Sequence, residues 1–451
     1  MDRFLVVDRG TDYLLPPSVE DWLPEAHLAR FVVEVVDKLD LSALTRQYAG
    51  RGSAAHHPAV LLALLIYGYA TGVHSSRKLE RATYDSVAFR YVAANTHPDH
   101  DTLATFRRRF RTEIQALFVQ VLVLAREMKL LKLGTIALDG TKLHANASKH
   151  RALSWQYALK IERQLRAEVE RLLKLAESTD QQDIPDGMDL PAEIARRQER
   201  LQAIAAAKVK IQQRAAERHA QEQAAYVAKR ERRQAQRDAG KKPRGKEPEA
   251  PVAGPRDHDQ VNLTDEESRI MPTAGGGFEQ CYNAQAAVDT DTLLVVTQHV
   301  TQAANDQHEV EPTLQQLASL PAVLGRVRTL LADTGYCSRV NACACSAAGI
   351  DPLLSPKRQD HHPAPEDRFA ADPPAPEPTE PMARMLHQLK TQAGRARYRL
   401  RKQTIEPVFG IVKNVLGWRQ LSMRGLAAAA GEWSLVTMAW NIKRMCVLQH
   451  G

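Results

Sequence analysis

Three acids stand where a carboxylate could do chemistry: Asp139, which ends the apolar run GTIALD; Asp333, which follows Val327 to Ala332; and Glu406, in a late basic stretch. Each alone has an ordinary reading. Asp139 suits an Asp-Gly turn, Asp333 an Asp-Thr-Gly turn, and Glu406 an intrahelical pair with Lys402 worth ~0.3 kcal/mol. Together they say more, because carboxylates at the carboxyl ends of strands face the crevice where open sheets bind ligands. Glu406 is the single acid between Arg384 and Arg424, against 10 Lys plus Arg. At ~100° per residue, Tyr398, Lys402, Glu406, Phe409 and Lys413 share one helical stripe with Arg401 outside it, although Pro407 disfavours helix at Glu406 and favours a restart there. Three converging carboxylates repel one another unless cations lie between them, and hard Mg²⁺ suits oxygen ligands. Two such ions ~4 Å apart stabilise the attacking and leaving oxygens of an in-line phosphoryl displacement.

These acids need a scaffold. Gly134 to Asp139 reads as a buried strand; strands follow at Asn283 to Val288 and Leu293 to Val300, joined by the turn-like Asp289-Thr290-Asp291. A helix from about Asp306 to Leu320 stops at Pro321, the strand Val327 to Ala332 ends at Asp333, and a helix, Val340 to Ala348, precedes a last strand at Pro352 to Leu354. The implied core is a mixed α/β sheet of five strands. Residues 357–383, rich in proline, read as a loop, with helices from there to the end.

Residues 1–130 read as an all-helical N-terminal domain, with Pro58 at a first helical position and Asp101 capping a helix through Phe106, Phe110 and Leu117. Its basic clusters, Arg77 and Lys78 with Arg81, and Arg107, Arg108 and Arg109 with Arg111, suit a helix-turn-helix-like DNA reader or a solvated helix face. Residues 151–258 interrupt the sheet with two long polar helices, Ala152 to Glu177 and Ala192 to Asp238, broken at residues 184–187 and reading as a helical hairpin or coiled coil. Gly240 to Pro255 reads as a mobile exit.

Of 451 residues, 44% are hydrophobic and 25% charged, which excludes wholesale disorder. Lys plus Arg number 61 against 53 Asp plus Glu, a net +8 that permits a polyanionic partner. Residues 149–250 carry a net +7 and residues 384–424 a net +9, so the remainder is net acidic. No apolar run approaches the ~18 residues of a membrane span, the N-terminal MDRFLVVDRG has no signal-peptide core, and five cysteines, an odd number, fit a reducing cytoplasm.

The sequence resembles the DDE transposases of bacterial insertion sequences. The resemblance rests on LGTIALDGTKLHANAS around Asp139, GGGFEQCYNAQAAVDTDTLLVVTQHVTQAANDQ, LLADTGYCS around Asp333 and YRLRKQTIEPVFGIVK around Glu406; the helical stretches around Arg77 and Arg107 resemble that family's N-terminal domain. It implies a ribonuclease-H-like catalytic domain over residues 131–150 and 259–451, beside a DNA-binding domain at 1–130 and the insertion at 151–258. It implies that Asp139, Asp333 and Glu406 bind two Mg²⁺ ions, for which Mn²⁺ substitutes. Tyr398, Arg401 and Lys413 would correspond to the family's Tyr, Arg and Lys near the scissile phosphate. Four residues separate Arg401 from Glu406 where the commonest pattern has three, a spacing that Lys402 satisfies, so either cation fits the role. The implied activity is cleavage and joining of double-stranded DNA at the element's ends, in the cytoplasm, by a homodimer or higher oligomer. A catalytically inactive DNA-binding scaffold and a nuclease without joining activity are the alternatives.

Asp333-Thr334-Gly335 would suit an aspartic protease only with a second such motif, which the chain lacks. Cys337, Cys343 and Cys345 with His361 and His362 match no common zinc spacing and read as inert thiols; His56-His57 reads as a polar helix lead-in.

Overall fold

A computed structural model describes residues 18–48, 55–177, 189–273, 275–357, 371–374 and 380–450. The N-terminal MDRFLVVDRG, the break at 184–187, His361, His362 and most of the Pro-rich stretch lie outside the described residues. The chain divides into two compact units, one of residues 1–144 and 282–451 and one of residues 145–281.

In the first unit, Leu28–Asp37 (α1), Ser42–Thr45 (α2), Pro58–Thr71 (α3), Ser76–Asp85 (α4), Val87–Val92 (α5), His100–Arg109 (α6) and Arg111–Glu127 (α7) precede the first strand. The helix expected to run from Asp101 through Leu117 is two helices. Asp99, not Asp101, caps the first by accepting from Thr102 N at 2.7 Å, and the break falls at Phe110. Among the described residues no single helix is long and apolar enough to cross a membrane.

Strand β1 (Thr135–His144) follows; in the second unit come β2 (Ala152–Ser154), helices α8 (Trp155–Glu177) and α9 (Leu190–Asp238), β3 (Gln260–Asn262) and β4 (Arg269–Pro272). The chain then forms β5 (Phe278–Asp289), β6 (Val295–Thr301), α10 (Val310–Ser319), β7 (Thr329–Ala332), α11 (Arg339–Ala347), β8 (Asp351–Leu354), α12 (Pro381–Gln388), α13 (Gln392–Gly410) and α14 (Leu426–His450). In the first unit the strands lie in the order β6-β5-β1-β7-β8; in the second, β4 pairs antiparallel with Phe278–Cys281 at the start of β5, which makes six strands where five were expected. β1, β7 and β8 are parallel, β6 runs antiparallel to β5, and Ala137 is opposite Leu331. A strand covered on both faces needs apolar residues throughout, which is why Ile136, Ala137, Leu138, Leu330 and Leu331 run together in sequence and are fully buried.

Helix α14 is buried nearly all round. Its Trp433 indole donates to the Gln285 carbonyl at 2.9 Å, and Asn441 closes both backbone groups of Val295 on β6. It also meets the early helices. Lys443 donates to the Ala70 carbonyl at 2.8 Å, and the buried Glu432 accepts from Tyr69 Oη, Ser422 Oγ and two backbone amides. A buried carboxylate is tolerable only with such donors, so this network fixes α3 against α14.

The second unit is built on a two-helix hairpin, with β2 and β3 paired antiparallel at its base. Ala158 and Leu165 of α8 pack with Ile204, Ala207 and Ile211 of α9, while Glu162 pairs with Lys208 at 2.6 Å and Glu168 with Arg197 at 2.9 Å, so the chain directions are opposed. The segment expected as a mobile exit is tied down. Lys241 N donates to the Gln236 carbonyl, Arg233 to the carbonyls of Arg244 and Gly245, and Arg256 pairs with Glu222.

Candidate active site

Asp139 lies in β1 and Asp333 directly after β7; extending the pairing of Ala137 with Leu331 by two residues sets the two acids opposite each other. Local geometry orients each. Asp139 Oδ1 accepts from Gly140 N at 2.8 Å, and Asp333 Oδ1 accepts from Gly335 N at 2.8 Å, capping the turn Thr334–Tyr336. Burial, then the charge of Asp333, push the Asp139 carboxyl up to about 7.

Helix α13 brings the third acid. It runs through Pro407 without a restart, passing into a wide turn at Ile411–Val415, so the expected break at Glu406 does not occur. A proline ring removes one amide donor but leaves the other helical bonds available, and here the C-terminal turn closes with Ile411 N donating to Pro407 O and Val408 O. Arg401 joins the acids: its Nη1 lies 3.4 Å from Asp139 Oδ2 and its Nη2 3.3 Å from Glu406 Oε1. Of the two cations that fit the sequence pattern, the buried Arg401 faces the carboxylates, whereas Lys402 is exposed. The expected stripe is therefore split. Tyr398 and Phe409 are buried, and Lys402 and Glu406 face outward.

Tyr398 Oη donates to the Ala332 carbonyl at 3.2 Å, next to Asp333, and Lys413 Nζ donates to the Lys142 carbonyl at 2.7 Å. Away from these acids, Arg77 and Lys78 are exposed on α4. Arg107 turns inward to Tyr69 Oη at 2.8 Å, Arg109 donates to the Gln47 carbonyl at 2.9 Å, and Arg108 is exposed and donates to Thr105 Oγ1 at 3.3 Å.

A fourth acid, which the sequence reading placed only at the start of a helix, belongs to this group. Asp306 Oδ1 accepts from Asn283 Nδ2 at 2.6 Å and Gln285 Nε2 at 2.7 Å, with Lys142 Nζ at 3.8 Å. Tyr336 Oη donates to Gln285 Oε1 at 2.5 Å. Its phenol is raised well above the ordinary value by burial, then by the charges of Asp306, Asp139 and Asp333. This polar shelf explains Gly140: a Cβ there would lie 2.2 Å from Gln285 Nε2 and 2.6 Å from Asp306 Oδ1.

Among the described residues no three His, Cys, Asp or Glu side chains converge closely enough to hold a metal ion. The donor chemistry nonetheless fits a hard divalent cation, since Asp139, Asp333 and Glu406 offer only carboxylate oxygens, and burial and the charge of Asp333 raise the Asp139 carboxyl, a rise that added positive charge would reverse. Arg401 supplies one such charge over two long contacts, and its buried Nε has no hydrogen-bond partner among the described residues. The cysteines are free, and burial pushes the Cys345 thiol up to about 12, which leaves it unreactive.

Comparison with known proteins gives the chemical class. The family model of the transposase DDE domain matches residues 251–442, taking in Asp333 and Glu406, and that of a transposase domain (DUF772) matches residues 17–109. Neither the curated proteins nor the solved structures contain a match. With one transposase domain over the early helices and another over the later strands and α13, the chain belongs to the DDE transposases of insertion-sequence type.

Proposed function

We propose that this transposase binds the ends of its insertion sequence and cuts and joins DNA strands at a ribonuclease-H-like site formed by Asp139, Asp333 and Glu406. The observation that carries this reading is the guanidinium of Arg401 lying between Asp139 and Glu406, with Asp333 beside them. A single cation shared by two carboxylates marks where positive charge is needed.

Asp139, Asp333 and Glu406 would hold two divalent ions, Mg²⁺ with Mn²⁺ as a substitute, which when bound lower the pKa of water and neutralise charge on the reacting oxygens. The protein's own part is positioning. Tyr398 and Asp333 are tied to the end of β7, so the acid cannot drift from Asp139. Arg401, once its carboxylates have metal partners, is free to pair bidentately with a phosphate of the bound strand. Lys413 and Lys402 extend that cationic surface, and Arg77, Lys78, Arg108 and Arg109 are assigned to DNA contact by the early helices, whereas Arg107, turned inward to Tyr69, is not. Water attacks the end phosphodiester, the P–O3′ bond breaks, and the departing oxygen takes a proton to give a 3′-hydroxyl. That hydroxyl then attacks a target phosphodiester, forming a new P–O3′ bond as the target's own 3′ oxygen leaves. The reaction takes place in the cytoplasm, within a homodimer or higher oligomer that holds two ends together.

The test uses a labelled duplex carrying the element's own end, with wild type, Asp139→Ala, Asp333→Ala and Glu406→Ala. Cleavage and joining are expected in Mg²⁺ or Mn²⁺ for wild type and to fall by on the order of a thousandfold or more in each variant. The stabilisation of wild type by Mn²⁺ on thermal unfolding should shrink in the same variants. Binding without cleavage under every metal condition would support the scaffold alternative, and cleavage without joining the nuclease.

A further inference from the structure

The last turns of α9 and the segment that folds back from them enclose a cleft with cations on every side and no acid in its wall. Lys229 and Arg232 project from the helix, and Lys241, Lys242 and Arg244 from the returning segment. None of these five side chains has a hydrogen-bond or ion-pair partner among the described residues, although residues 229–249 include four acids. Two of those acids are taken elsewhere: Glu247 pairs with Arg233 and Arg237, and Glu249 with Lys246.

Three features separate this cleft from an ordinary solvated helix end. Cations favour a helix C-terminus through its dipole, but that effect is confined to the last turn, where Arg237 already stands. Lys229 and Arg232 lie before that turn and Lys241, Lys242 and Arg244 beyond it. The arrangement is also built. Arg233 donates to the carbonyls of Arg244 at 3.1 Å and Gly245 at 3.2 Å, and Lys241 N donates to Gln236 O at 2.8 Å, which brings the returning cations back to the helical ones. Finally, clustering like charges costs free energy that a polyanion recovers, by displacing the counterions that both carry.

The wall contains no aromatic side chain on which bases could stack, and the nearby Tyr226 ring is covered by Arg230. A single-stranded ligand is held by such stacking; a duplex backbone is not. We infer that this cleft is a sequence-independent site for the phosphate backbone of double-stranded DNA. The inference rests on the transposase reading for its choice of nucleic acid, and it gives the insertion between β1 and β5 a DNA-holding role.

The test is binding of the full chain to a labelled random-sequence duplex in EDTA, followed by fluorescence anisotropy over a KCl series. It compares wild type with K229Q/R232Q/K241Q/K242Q/R244Q. A second variant, K241Q/K242Q/R244Q, leaves the helix sequence untouched and guards against misfolding. The slope of log K against log salt should flatten by about 0.9 for each cation that meets a phosphate, and affinity near 0.1 M salt should fall tenfold or more in the fivefold variant. Cleavage of pre-bound element ends at saturating protein should keep its wild-type rate. Unchanged slope and affinity in both variants would overturn the inference, as would loss confined to a labelled single-stranded RNA of the same length. A wild type that binds duplex through these residues yet neither cuts nor joins would leave the cleft standing and remove the catalytic reading instead.

Discussion

Arg401 stands between two carboxylates, whereas Lys229, Arg232, Lys241, Lys242 and Arg244 surround a cleft that has none. Both regions are rich in positive charge, but in the first it is committed within the fold and in the second it is not. A committed cation contributes to structure and reaches a ligand only when something replaces it. An uncommitted cation is available at once, its effect is erased by salt, and its removal costs the fold little. The contrast therefore predicts structural penalties around Asp139 and purely ligand-dependent ones at the end of α9.

The largest effect expected is a pH dependence. Asp139 has a carboxyl raised to about 7 in the folded protein against an ordinary 3.8. Below both values it is neutral in either state and costs nothing. Between them the folded protein binds the extra proton, so stability falls as pH rises, by on the order of 1 kcal/mol per unit, until the carboxylate is fully charged above about 7. Thermal unfolding in EDTA from pH 5 to 8 should show this decline, and Asp139→Asn should flatten it. An equal slope in wild type and variant would mean that Asp139 is not the uncompensated charge.

Next is Gly140→Ala. The added methyl meets Gln285 Nε2 and Asp306 Oδ1, both locked in the buried shelf, and should cost ~1–3 kcal/mol in denaturant unfolding, with slower cleavage because Asp139 is the adjacent residue. Arg107→Ala should follow, at ~1–2 kcal/mol, since it strips Tyr69 and the buried Glu432 of a cationic partner, whereas Arg108→Ala should change stability by less than ~0.5 kcal/mol. Equal losses from the two arginines would break the distinction between committed and free charge.

Much of this was legible in the residues. Strands β1, β5, β6, β7 and β8 announce themselves as short apolar runs, Asp139 and Asp333 as the acids that end two of those runs, and Glu406 as the one acid in a basic stretch; β1, however, continues through Asp139 and Gly140 to His144 instead of turning there. Asp306 was not legible as a member of the group, because an acid before a helix reads as a cap; α10 in fact begins at Val310. The available clue was Asn283 and Gln285, two amides on the same face of a strand buried on both sides, which need a partner. Arg107 carried a clue of the same kind. Leu103, Phe106 and Phe110 are buried on one side of the chain at α6, and Arg107 completes their i, i+3, i+4, i+7 pattern, so it faces inward while its neighbour Arg108 does not. The fold-back after α9 had no such pattern: Gly240 to Pro255 is short of apolar residues, and what holds it is arginine bonding to backbone carbonyls, which composition does not reveal.

The smallest effect is the one that most sharpens the contrast. Lys241→Ala and Lys242→Ala should shift stability by less than ~0.5 kcal/mol, and the sign should be favourable at low salt, because each removes a like charge from a crowd without breaking a bond. At an ionic strength of ~1 M, where the screening length falls to ~3 Å, that gain should vanish and variant and wild type should unfold at one temperature. A loss of stability that persists in high salt would mean that these lysines have partners within the fold, and the cleft would then be committed charge like Arg401.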